Sequence, residues 1–341
     1  MSDVVVAGAV RTPIGRFGGG LATLSAADLG AAAAEEVLRR TGVPAGSIDE
    51  AVFGCARQAG TGPNVARQVA FRAGLPPEVP AYTVNMACGS SLKAIDLAYR
   101  SVRDGDAEAV LAGGTESMSR VPYLLTGARW GYRLGHQEAV DGMYRDGFLC
   151  PLCNQVMGET AEHLAERYSL SREEQDAFAL RSQQRAARAA EQGLFDEETF
   201  SVRVPGRKGD VEIRRDEHPR PTTTLESLGR LPPVFKKSGS VTAGNASGIT
   251  DGAAALLVLS GRRAADLGLR PLARVLGVAS AGVEPQVMGL GVVPAVKRLL
   301  EKLDVGLQDF DLVEVNEAFA AQVLACDREL QLDAEDRKSV V

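Results

Sequence analysis

Cys88 stands in Tyr82-Thr83-Val84-Asn85-Met86-Ala87-Cys88-Gly89-Ser90-Ser91-Leu92, a setting in which a thiol can act as a nucleophile. Tyr82, Thr83 and Val84 favour a strand. Leu92, Ala94, Ile95, Leu97 and Ala98 recur at helical spacing. The cysteine therefore falls at or just before a helix N-terminus, where free backbone N–H groups and the helix dipole favour a thiolate. Gly89, Ser90 and Ser91 keep its surroundings small, which a merely buried structural cysteine would not require. A second pair, Cys150-Pro151-Leu152-Cys153, has metal-ligand or redox spacing. It has no partner Cys/His cluster, so it reads as two incidental cysteines and no metal is implied. Gly113-Gly114 lies in no Walker or dinucleotide pattern, so no nucleotide cofactor is implied either.

The elements that must position Cys88 follow from periodicity. Val4–Val10 reads as a buried strand, Ala26–Arg40 as an amphipathic helix ending near Gly42, and Ala51–Gly54 as a second strand. Asn64–Gly74 reads as a helix, and strand–helix alternation continues through Cys88 to Ala109–Ala112. Residues 118–249 change character, with a long charged helical stretch (Ala161–Gln192) and then a Pro-, Arg- and Thr-rich segment of little period; they are expected to form an inserted domain. Gly252–Ser260 resumes the buried-strand pattern, and a second α/β half begins near Pro271. Val37–Gly54 aligns without gaps onto Leu299–Asn316 at an offset of 262, each run being a helix end, a turn and an apolar strand. An internal duplication of an α/β unit follows.

Composition narrows the function classes. The chain has 341 residues, 45% of them apolar, enough for one large or two to three smaller domains. A formal charge of −6 argues against a general nucleic-acid or anionic-membrane binder. Residues 201–240 depart from this, with nine Arg or Lys against five acids, a charge suited to a phosphorylated ligand. No apolar run reaches the ~18 residues of a transmembrane helix, and Met1-Ser2-Asp3 leads straight into a strand with no signal-peptide pattern. Five cysteines in a chain this long do not make a secreted disulfide framework, so a cytoplasmic location is expected.

Five blocks in order resemble the thiolases, the family that makes or cleaves 3-ketoacyl-coenzyme A: Val4–Phe17 (VVVAGAVRTPIGRF), Val84–Leu92, Leu111–Ser119 (LAGGTESMS), Val241–Ala254 (VTAGNASGITDGAA) and Val313–Gln322 (VEVNEAFAAQ). The resemblance covers residues 3 to about 333. It implies duplicated α/β halves in a layered αβαβα arrangement. The N-terminal half, carrying the nucleophile, would take 1–117 plus 250–270, the coenzyme A-binding loop domain 118–249, and the start of the C-terminal half 271–335. Cys88 matches the acylated cysteine, and Asn316 the asparagine that orients a water toward an oxyanion. Coenzyme A contacts carry over to Arg220, Ser227, Phe235, Ala243, Ser247, Ala318 and Phe319. Met157 and Met288 match acyl-pocket residues, although Val156 stands where many biosynthetic members have histidine. Glu116 and the glycines beside it match a structural turn. Coenzyme A thioesters would be the substrates, no cofactor is required, and the assembly would be a homodimer or homotetramer.

The resemblance also implies a Gly-His-Pro histidine that activates the nucleophile and a Cys-x-Gly cysteine that moves the substrate proton. Neither motif occurs, the histidines being His136, His163 and His218. The repeat puts the counterpart of Cys88 at position 350, past Val341. The second half is therefore expected to be incomplete and the 341-residue form inactive, the alternative being a non-catalytic remnant that binds coenzyme A or a partner subunit. Asp336–Val341 (DRKSVV) does not resemble the family, matches what a common sequencing adapter would encode, and is expected to be an artefactual tail. A ketoacyl-synthase relative would carry two histidines in place of the Asn316 block.

Overall fold

A computed structural model describes residues 3–332; the expected tail at 336–341 lies outside the described residues. The fold is mixed α/β and divides into two compact units. The first takes residues 3–147, 195–218 and 249–276, and the second 148–194, 219–248 and 277–332. The residues grouped above as one insertion thus divide between the two units, and the second half shares a unit with part of them.

The first unit is built on a seven-stranded sheet. Its strands are β1 (Val4–Arg11), β2 (Gly15–Arg16), β3 (Glu50–Gly54), β4 (Ala81–Val84), β5 (Ala109–Ser117), β12 (Thr250–Ser260) and β13 (Ala273–Arg274). The main order is β13-β1-β12-β5-β3-β4, with β2 paired to β12. Strand β12 runs antiparallel to both β1 and β5, while β3 is parallel to β4 and β5. Flanked by strands on both edges and covered on both faces, β3 needs the unbroken apolar run Ala51-Val52-Phe53 that its sequence supplies. Two hairpins complete the unit, β6 (Tyr123–Leu124) with β7 (Val140–Asp141) and β10 (Val202–Val204) with β11 (Val211–Ile213).

Alternation along the strands assigns the helices to faces. Ala51, Phe53, Ala109, Leu111, Ala255 and Leu257 pack in one core with α1 (Ala26–Thr41) and α2 (Val65–Arg72). Val52, Val110, Ala112 and Val258 point the other way, into a core with α3 (Ser90–Asp104). Helix α1 starts at a capping box: the Ser25 hydroxyl accepts the Asp28 N–H at 3.1 Å, and the Asp28 carboxylate accepts the Ser25 N–H at 2.9 Å. The short α7 (Gly261–Asp266) follows β12.

The second unit is mainly helical: α4 (Met157–Arg167), α5 (Arg172–Glu191), α6 (Leu225–Gly229), α8 (Val292–Leu303) and α9 (Ala320–Leu330), with a hairpin of β8 (Leu149–Cys150) and β9 (Gln155–Val156). The charged stretch predicted over Ala161–Gln192 is two helices. Ser169 takes a left-handed φ of 50°, and Ser171 opens a new capping box with Glu174. Leu164, Leu290, Val293, Ala321 and Ala325 form the main core of this unit.

The predicted repeat is visible in the backbone. Helix α1 ends at Gly42 and α8 at Asp304, both left-handed, and one-turn 3-10 helices follow at Ala45–Ser47 and Leu307–Asp309. Both pairs obey the offset of 262. The correspondence stops there. Residues 310–316, predicted as an apolar strand like β3, form no strand, because among the described residues no neighbour supplies the ladder that β4 and β5 give β3.

Candidate active site

Cys88 lies in the connection between β4 and α3, two residues before the first helical residue, and its thiol is exposed. The loop is held by its own polar side chains. Asn85 Oδ1 accepts the Ala87 N–H at 3.0 Å, an Asx-type turn. Ser90 is buried and works twice: its hydroxyl accepts the Met86 N–H at 2.9 Å and donates to the Ala87 carbonyl at 2.6 Å. Between these ties Ala87 takes φ 48°, a left-handed conformation unusual for a residue with a side chain. The strained residue immediately precedes the nucleophile candidate and is fixed from both sides.

The head of α3 sits unusually close to the sheet. A Cβ on Gly54, the last residue of β3, would lie 2.5 Å from the Ser90 carbonyl carbon and 2.7 Å from the Ser91 nitrogen. A Cβ on Gly114 of β5 would collide with the Ser91 side chain. These glycines leave room for the helix turn that presents Cys88. Gly113-Gly114, expected as part of a turn, is instead paired on both edges, to β12 and to β3. Farther along, α3 buries Ala94, Ala98 and Val102, while Leu92 of the predicted apolar set is 70% exposed. The buried Asp96 fixes the helix through Lys93 at 2.6 Å and Arg100 at 2.7 Å.

Glu116 ties the neighbouring loop. Its carboxylate accepts the Ala56 and Arg57 N–H groups at 2.9 and 3.0 Å, and Asn85 Nδ2 donates to the Ala56 carbonyl at 3.2 Å. A continuous path thus runs from Glu116 through Ala56 and Asn85 to the residue before Cys88. The Cys55 thiol is 3.6 Å from Glu116, and burial first, then this carboxylate, push its pKa up to about 12. Cys55 is thereby kept a neutral thiol.

The residues singled out for coenzyme A all belong to the second unit. Ser247 and Ala318 are joined by a backbone hydrogen bond of 2.9 Å, and Ala246 and Phe319 form a β-bridge. Phe319 meets Phe235 edge to face, with ring centroids 6.2 Å apart. A Cβ on Gly158 would collide with the Phe235 ring, so the start of α4, where Met157 stands, lies directly against Phe235. Met288 lies on the 3-10 segment Pro285–Gly291, which packs on α4 and α9. Ser247, Ala318, Phe319, Phe235 and the Met157 backbone therefore converge on one surface.

Ala243 shares the loop of Ser247. Ser227 sits in α6, its hydroxyl accepting the Thr224 N–H at 3.0 Å and donating to the Thr224 carbonyl at 2.8 Å, so it is already used in capping that helix. The Arg220 N–H donates to Gln183 Oε1 at 2.7 Å, which fixes the backbone of an exposed side chain. Asn316 is exposed in the irregular stretch before Phe319.

Sequence reasoning overlooked the braces of this loop. Buried Asn245 accepts the Thr242 N–H at 2.8 Å and donates to Asp176 at 3.0 Å, and buried Glu162 accepts the Val241 N–H at 2.8 Å. Asn245 lay inside a recognised block. Glu162 and Asp176 carried no signal, since on helices they read as ordinary solvent-facing acids.

The model of the thiolase N-terminal domain matches residues 4–262, and that of the thiolase C-terminal domain residues 269–339. An acetyl-CoA acetyltransferase of Pseudomonas aeruginosa is 52% identical over 335 residues, covering 98% of this chain and 85% of the relative. The crystal structure of the Bacillus anthracis acetyl-CoA acetyltransferase superposes with a TM-score of 0.96 at 45% identity, over 99% of this chain and 85% of that one. Human mitochondrial 3-ketoacyl-CoA thiolase in complex with CoA superposes with a TM-score of 0.94 at 41% identity, over 98% and 84% of the two chains.

Proposed function

Because this chain belongs to the thiolase family, we propose that it transfers acyl groups between coenzyme A and a carbon nucleophile, joining acyl-CoA and acetyl-CoA into 3-ketoacyl-CoA or running the reverse. The observation that carries the reading is the exposed Cys88 thiol on a braced loop at the head of α3. Its sulfur attacks the acyl-CoA carbonyl, a tetrahedral oxyanion forms and collapses, and the coenzyme A thiolate leaves. The acyl group is then a thioester on Cys88, a linkage that a carbanion from acetyl-CoA can attack, releasing Cys88 as thiolate. Sulfur suits both steps, being a strong nucleophile and a workable leaving group.

In this reading Asn316 orients a water toward one developing oxyanion, and the Cys88 N–H serves the other. Ser247 bonds the pantetheine amide and Arg220 lies near the nucleotide end, with Ser227, Phe235, Ala243, Ala318 and Phe319 as further coenzyme A contacts; Met157 and Met288 line the acyl pocket. The bound CoA of the human mitochondrial 3-ketoacyl-CoA thiolase supports acyl-CoA substrates. Work by a free thiol suits a reducing compartment such as the cytoplasm, and assembly as a homodimer or homotetramer belongs to the same reading.

Incubating the protein with labelled acetyl-CoA is expected to leave one acetyl group on the peptide containing Cys88, and none on the Cys88→Ser variant. Label on the serine variant at wild-type level would overturn the assignment.

A further inference from the structure

The hairpin of β8 and β9 pairs Leu149 with Val156 and Cys150 with Gln155, leaving Pro151, Leu152, Cys153 and Asn154 as its loop. Pro151 presets the first corner, and Asn154 turns the chain back with a left-handed φ of 52°. Residues three apart in such a turn stand within about 7 Å, and a disulfide spans Cα separations of roughly 4.4–6.8 Å. The two thiols are neighbours: hydrogen bonding from the Cys153 and Leu152 backbone and from the Cys153 thiol holds Cys150 below its ordinary range. Both cysteines are partly exposed, whereas Cys55 and Cys326 are buried. A metal reading fails for lack of ligands, since among the described residues no group of three or more His, Cys, Asp or Glu could hold an ion.

We propose that Cys150 and Cys153 form a thiol–disulfide exchange site that takes a low-molecular-weight disulfide as its oxidant. The roles follow from the donors. The Cys153 and Leu152 N–H groups hold the Cys150 thiol below its ordinary range, while partial desolvation and the neighbouring Cys150 raise Cys153. Cys150 is therefore the attacking thiolate and Cys153 the resolving thiol. Cys150 Sγ attacks one sulfur of R–S–S–R; that bond breaks and one RS⁻ leaves. Cys153 loses its proton to solvent and attacks Cys150 Sγ, and the second RS⁻ leaves. Two protein thiols are oxidised to one disulfide, and the small disulfide is reduced to two thiols. The chemistry is separate from acyl transfer at Cys88 and does not depend on it.

The test uses oxidised glutathione on the full chain, followed by alkylation, trypsin and mass mapping. Residues 146–167 form one tryptic peptide containing both cysteines. In the wild type this peptide is expected to escape alkylation and lose two hydrogens, reversibly with dithiothreitol. Cys153→Ser should trap glutathione on Cys150, about tenfold or more faster than Cys150→Ser traps it on Cys153. Full alkylation of both cysteines in the treated wild type, or a persistent mixed disulfide on it, would overturn the proposal. The wild-type measurement stands even if either variant folds poorly.

Discussion

Asn85 and Ser90 hold the backbone before Cys88 in a conformation it would not adopt unaided, because Ala87 stands at φ 48°. Ser90→Ala removes the acceptor of the Met86 N–H and the donor to the Ala87 carbonyl. Met86 and Ala87 are exposed, so water can take over the freed groups, and losing these hydrogen bonds costs about 0.5–1.5 kcal/mol. We expect that loss in denaturant unfolding, together with slower acylation of Cys88. Unchanged stability and an unchanged acylation rate would show that the clamp is idle. In the second unit Ser247→Ala and Arg220→Ala each remove one contact proposed for coenzyme A. The expected loss is about 0.5–1.5 kcal/mol, roughly two- to tenfold in KM for acetyl-CoA. Cys88 should remain alkylatable in both variants; if both keep the wild-type KM, coenzyme A binds elsewhere.

Strand β3 and the first turn of α3 meet where Gly54 leaves no room for a side chain. Gly54→Ala puts a methyl group against backbone, which cannot rotate away, so the helix head must move. Overpacking of this kind costs about 1–3 kcal/mol. The displaced turn should also slow acylation of Cys88 more than the stability loss alone explains. An alanine variant with wild-type stability and acylation would refute close packing as the positioning device. The same scale explains the failed strand prediction. Val313 and Val315 carry the alternation of an apolar strand, as Ala51 and Phe53 do, but alternation states only which face is apolar. The ladder comes from neighbours, and among the described residues this segment has none.

At the scale of the whole molecule, Asp96 and Cys55 tie stability to pH in opposite directions. Burial tends to raise the Asp96 carboxyl, but its bonds to Lys93 and Arg100 outweigh this and hold it below 3.8. Stability from that lowering is present above the unfolded value of 3.8 and is lost as pH falls through the folded value. Cys55 shifts the other way. Its contribution is complete below its unfolded value of 9.0 and is lost as pH rises toward about 12. Thermal unfolding should therefore show a plateau bounded by both losses. Asp96→Asn should lower the plateau and flatten the acid limb, and an acid limb of wild-type steepness would contradict that role.

Much of this was legible in the sequence because it is local. The strand-to-helix setting of Cys88 and the repeat from Gly42 to Asp304 rest on residue types at fixed spacing. The sequence by itself determined the family, the α/β class and the candidate nucleophile. Tertiary structure alone decided what depends on partners distant in the chain: that Gly54 and Gly114 make room for α3, that Glu116 braces Asn85 through Ala56, and that residues 310–316 lack a ladder. It also divided the expected insertion between two compact units. The physical reason is common to these cases. Spacing along the chain encodes which face is apolar and where a helix starts, whereas close approach and hydrogen-bond partnership are settled only when distant segments are brought together.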